Sequence, residues 1–72
     1  MPLVQVSMVR GRTTEQKHAL IAAVSSAVAE TLETPIDHVR VVIYEVSAEE
    51  WGIGGRPHSA VRGGAPADPA TP

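Results

Sequence analysis

Proline at position 2, directly behind the initiator methionine, can do chemistry in one circumstance only. Once Met1 is removed, Pro2 carries a free secondary amine that can act as a base or a nucleophile. The structural alternative is equally direct. Proline cannot donate a ladder hydrogen bond, and the head of a strand is one of the few places a sheet tolerates it. Two arginines belong to the same question. Arg12 sits beside a glycine turn, where a guanidinium is ordinarily solvated. Arg40 falls in the otherwise apolar run VRVVIYEV, residues 39–46. There it is either an edge charge or must meet an anion, because an unpaired guanidinium in apolar surroundings is costly.

Other candidate groups offer less. His18, His38 and His58 are scattered without metal-ligand spacing and read as surface residues. Glu49 and Glu50 are adjacent, so in regular structure they point apart and cannot form the opposed pair of a glycoside hydrolase. Ser25 and Ser26 fall mid-helix with no base near them in sequence. The stretch GIGGRP fails as a dinucleotide fingerprint, since the third glycine would have to occupy position 57, which is Pro57. Its glycines read as turn residues.

The elements that must position Pro2, Arg12 and Arg40 follow from periodicity. In residues 2–9, Pro2, Val4, Val6 and Met8 share one face and Leu3, Gln5, Ser7 and Val9 the other, the alternation of a strand. Gly11 breaks it. Thr13 with Gln16 three positions on fits a capping box, and Leu20, Val24 and Val28 follow at helical spacing. Ile21, Ala27 and Leu32 join that stripe, against Glu15, Lys17, Ser25 and Glu30 on the wetter side. The helix should end before Pro35. Residues 39–46 are apolar on both faces, as in a strand covered on both sides. A crossover of this length permits parallel pairing with a right-handed connection. The segment GIGGR after Trp51 should form a turn or short hairpin.

One helix can cover one face of such a sheet; the other face needs something this sequence does not supply. The 72 residues include no cysteine, so neither disulfides nor a thiolate metal site can compensate for a small core. With 43% apolar residues, the chain is expected to complete its core by oligomerising. A net charge of −2 with dispersed basic residues argues against a nucleic-acid partner. No apolar run approaches the roughly 18 residues of a membrane span, and no secretion signal opens the chain. A cytoplasmic protein without a membrane partner is the expectation. The class is α+β: a β-α-β domain over residues 1–56, then a Pro-, Gly- and Ala-rich tail over 57–72, poorly ordered at its end.

Taken together, Pro2, GRTTEQK, TPIDHVRVVIYE and WGIGG resemble 4-oxalocrotonate tautomerase and its small relatives, from position 2 to about position 56. The resemblance implies a β-α-β protomer that dimerises into a four-stranded sheet and assembles as a homohexamer, a trimer of dimers. It implies removal of Met1, so that Pro2 becomes the general base that moves a proton between a dienol oxygen and a carbon of the ketone. Arg12 would bind the far carboxylate of the substrate. Arg40, from another subunit, would bind near the 2-oxo group and its carboxylate. Trp51, where the family usually has Phe, would be an apolar wall. No cofactor or metal is required. The implied activity is enol–keto isomerisation of a 2-hydroxydienoate such as 2-hydroxymuconate.

Two alternatives compete. Some relatives hydrate or dehalogenate unsaturated acids with an added acidic group, but the position expected for it holds Ile53. A non-catalytic binding subunit, or a silent partner in a hetero-oligomer, would keep the fold without the turnover.

Overall fold

The computed structural model describes residues 1–61. Strand β1 spans Leu3–Val9, helix α1 Thr14–Leu32 and strand β2 Arg40–Val46. A short hairpin of β3, Gly52–Ile53, and β4, Arg56–Pro57, leads into one turn of helix, α2, His58–Val61. β1 and β2 pair as a two-stranded sheet. Their direction follows from the bonds at the two ends. The Arg40 N–H donates to the Pro2 carbonyl at 3.0 Å, and the Arg10 N–H donates to the Val46 carbonyl at 2.8 Å. Start meets start and end meets end, so the strands are parallel. The expected β-α-β order stands.

The described chain divides into two compact units, one of residues 1–6 and 12–44, the other of residues 7–11 and 45–61. In the first, α1 begins as its sequence requires. The Thr13 hydroxyl accepts the Gln16 N–H, and the Gln16 side chain accepts the Thr13 N–H, both at 3.0 Å. This reciprocal pair satisfies two donors that a helix start leaves without intrahelical partners. At the other end Glu33 adopts φ 53°, and its N–H and that of Thr34 return to carbonyls of the last turn. The left-handed cap ends the helix two residues before Pro35. A 3-10 turn, Ile36–His38, then leads into β2.

Burial along α1 refines the expected stripe. Leu20, Ile21, Val24 and Val28 are half-buried, as expected, but Ala27 is exposed and Leu32 is 60% exposed. Lys17 and Ser25, assigned to the wet side, are half-buried instead. The covered face is thus rotated toward positions 17, 21, 25 and 28. A lysine can lie at its margin because its methylene stem covers apolar surface while the ammonium reaches water.

In β1, Val4 and Val6 are half-buried whereas Leu3, Gln5 and Ser7 are exposed, so one face is covered and the other open until Val9, which is buried. On the open face the Gln5 amide donates to the Tyr44 hydroxyl of β2 at 3.3 Å. Among the described residues only Val9 and Val39, at 7% and 8% exposure, are buried apolar side chains. Leu3, Leu32, Ile36, Tyr44 and Ile53 are all exposed. The described residues of a single chain thus enclose almost no core of their own.

The second unit holds a 3-10 turn, Ala48–Glu50, then Trp51, the hairpin and α2. Gly54 and Gly55, at φ 60° and 85°, form the two-residue loop. Positive φ at both positions is what a type I′ turn requires and glycine supplies without steric cost. β3 and β4 pair antiparallel, Gly52 opposite Pro57 and Ile53 opposite Arg56. The expected hairpin is present. Regular structure continues past residue 56 through β4 and α2, and residues 62–72 of the expected tail lie outside the described residues.

Candidate functional site

Pro2 immediately precedes β1 and is half-buried. Its nitrogen takes no part in the ladder, while its carbonyl accepts the Arg40 N–H at 3.0 Å. The ring is therefore anchored to the sheet by its carbonyl, independently of what lies on its nitrogen. Met1, joined to that nitrogen, is 83% exposed. While the Met1–Pro2 peptide bond stands, the nitrogen lone pair is delocalised into an amide and cannot accept a proton.

Arg40 is the first residue of β2, and its side chain is exposed. Its guanidinium is not idle. Nη1 donates to the Asp37 carbonyl at 2.7 Å and to the Val39 carbonyl at 3.4 Å. The 3-10 turn ahead of β2 supplies these acceptors, so the backbone that leads into the strand also fixes one end of the fork. The Nη2 and Nε donors remain to meet an anion, and guanidinium geometry suits them to a carboxylate. The expected apolar surroundings and anion are not found at Arg40: its side chain is exposed, and its hydrogen-bond partners are neutral backbone carbonyls.

Arg12 lies between Gly11, at φ 144°, and the Thr13 cap. That backbone angle is open to glycine and strained for other residues, so the strand-to-helix corner is built around Gly11. Arg12 itself is half-buried and has no hydrogen-bond or ion-pair partner among the described residues. No hydrogen bond joins it to Pro2 or Arg40 within the single chain.

Trp51, in the second unit, is half-buried. Its carbonyl accepts the His58 N–H at 2.7 Å, one step beyond the β3–β4 pairing. Two nearby carboxylates diverge, as their adjacency requires. Glu49 accepts a hydrogen bond from the Ser59 hydroxyl, and Glu50 accepts one from the Ser47 hydroxyl at 3.3 Å.

His58 corrects the expectation of three surface histidines. His18 and His38 are exposed, but His58 is 8% exposed and opens α2. Sequence composition placed it in a tail. The signal that marks it is the Gly-Gly hairpin, which returns the chain so that position 58 falls opposite position 51. Among the described residues no group of three or more His, Cys, Asp or Glu side chains is arranged to hold a metal, and no helix is long and apolar enough to cross a membrane.

Comparison with known proteins gives these residues a context. The family model described as "Tautomerase enzyme" matches residues 2–60. A 2-hydroxymuconate tautomerase of Pseudomonas sp. (strain CF600) is 48% identical over 62 residues, covering 86% of this chain and 98% of that protein. Among solved structures, TomN, a 4-oxalocrotonate tautomerase homologue in the tomaymycin biosynthetic pathway, superposes with a TM-score of 0.84 at 39% identity. It covers 86% of this chain and 95% of its own. A heterohexamer 4-oxalocrotonate tautomerase from Chloroflexus aurantiacus J-10-fl gives a TM-score of 0.82, also at 39% identity, covering 86% of this chain and all of its own.

Proposed function

The chain belongs to the tautomerase enzyme family, and we propose that it isomerises a 2-hydroxydienoate such as 2-hydroxymuconate to its 2-oxo form, with Pro2 as the base. Met1 is first removed, leaving a secondary amine at the head of β1. That amine takes the proton from the enol oxygen. The double bonds shift along the chain of carbons, and the protonated amine returns a proton to carbon. One O–H bond breaks and one C–H bond forms, with no net loss of a proton and no cofactor.

The observation that supports this reading most directly is the 3.0 Å bond from the Arg40 N–H to the Pro2 carbonyl. It holds the base rigidly through an atom that the chemistry does not use. A catalytic base on a fixed element needs little reorganisation to meet its proton. The α-amino group of a free chain titrates near 8. Only the unprotonated form of such an amine can accept the proton.

Arg12 binds the distal carboxylate of the substrate. An Arg40 contributed by a neighbouring subunit binds the 2-oxo end and stabilises negative charge as it builds on that oxygen. Trp51 forms an apolar wall. The site is therefore assembled between protomers, and the working unit is a homo-oligomer, a trimer of dimers. The open sheet face bearing Leu3, Gln5 and Tyr44 supports the first step of that assembly, as does the scarcity of buried apolar side chains among the described residues.

Ultraviolet-monitored ketonisation of 2-hydroxymuconate tests the reading, on protein whose intact mass shows Met1 removed. Turnover should fall by about 10²- to 10⁴-fold in Pro2→Ala, the range for loss of a positioned base. Undiminished turnover in that variant would overturn the role of Pro2, and processed wild-type protein without turnover would overturn the substrate.

A further inference from the structure

Trp51 is the only tryptophan of the chain, and the residues beyond it come back to hold the segment it stands on. Glu49, two positions before it, accepts a hydrogen bond from the Ser59 hydroxyl. The carbonyl of Trp51 itself accepts the N–H of His58, the residue next to Ser59. Consecutive residues of α2 thus grip two points of the turn that carries the indole. α2 also packs against the 3-10 turn Ala48–Glu50, with the buried His58 at its start. Glu50 is held separately, its N–H donating to the Ser47 carbonyl at 2.9 Å and its carboxylate accepting from the Ser47 hydroxyl.

The two grips do different work. The backbone bond fixes the Trp51 carbonyl. The Glu49–Ser59 bond ties a side chain of the preceding turn to α2. Glu49 is exposed, where a hydrogen bond adds little to global stability, so its consequence is local orientation.

We propose that Ser59 is a positioning residue, which acts through Glu49 to set the Trp51 side chain as the wall of the substrate site and thereby sets substrate affinity. This rests on the reading of Trp51 as a site residue given above. The chemistry at Pro2 is untouched by the device, so it acts on binding and not on the proton-transfer step.

Ser59→Ala and Ser59→Thr, compared with wild type, test it. Trp51 is the sole indole emitter, so acrylamide quenching of its fluorescence reads its mobility and access without substrate. Ser59→Ala should be more readily quenched and should raise KM for 2-hydroxymuconate about three- to tenfold, the ratio carried by one ordinary hydrogen bond. The value of kcat should not change, and Ser59→Thr, which keeps the hydroxyl, should restore both readouts. Unchanged quenching or unchanged KM in Ser59→Ala overturns the proposal, as does a KM rise that threonine does not reverse. A lowered thermal midpoint with neither readout moved assigns the bond to stability alone and overturns it too. If wild-type protein shows no turnover, the substrate reading fails, while the quenching comparison still decides whether Ser59 holds Trp51.

Discussion

The backbone N–H of Arg40 is hydrogen-bonded to the carbonyl of Pro2 at 3.0 Å, so the first residue of one strand holds the residue that leads into the other. The Arg40 guanidinium meanwhile bonds the carbonyls of Asp37 and Val39 through Nη1. Both residues are thereby fixed through atoms to which the proposed mechanism gives no role. The mutational behaviour of the pair follows from that division.

Arg12→Ala and Arg40→Ala should separate in steady-state kinetics. On the roles proposed above, Arg12 binds a carboxylate equally in ground and transition states, so its loss should raise KM with little change in kcat. On the same proposal Arg40 meets charge that develops during reaction, so its loss should also lower kcat. Equal and negligible effects in both variants would remove the assigned roles.

The pH profile gives an independent check on Pro2. A protonated amine cannot accept a proton, so kcat/KM should fall as pH decreases through the pKa of the Pro2 amine. A kcat/KM that does not fall toward acid pH would rule out an amine as the base.

The start of α1 can be tested without touching the site. Thr13→Ala removes the hydroxyl that accepts the Gln16 N–H, and should cost about 0.5–2 kcal/mol in denaturant unfolding. Thr13→Ser should recover most of it. At the other end, Glu33 holds a left-handed backbone at φ 53°, which costs a non-glycine residue about 1–2 kcal/mol. Glu33→Gly relieves that strain and should raise the unfolding midpoint.

Leu3, 57% exposed on the open sheet face, should be covered by a second copy of the chain. Leu3→Glu would place a charge in that contact, and sedimentation velocity should show smaller species than for wild type. A variant with unchanged mass would show that assembly uses another surface.

Much of this was legible from residue types. The capping box at Thr13 and Gln16, the crossover and the Gly54–Gly55 hairpin are local devices, each specified within a few neighbouring positions. The rotation of α1 was harder to read. Ala27 and Leu32 are apolar enough to suggest burial, yet which side of a helical stripe is covered depends on where the sheet lies, not on the helix alone. His58 escaped for a related reason. Composition assigns it to a Pro- and Gly-rich tail, whereas its burial depends on a hairpin partner seven positions earlier. Pro2 and Arg12 could be singled out on local grounds, but each also has an ordinary structural reading there, so their joint role rests on the family pattern.

That one chain buries only Val9 and Val39 among its described apolar residues has a consequence for how the protein lasts in solution. If the rest of the enclosure comes from sister copies, folding and association are one equilibrium, governed by mass action. Dilution then acts as a denaturant, and the melting temperature rises with the amount of protein in the tube. Abundance becomes part of what keeps the enzyme intact.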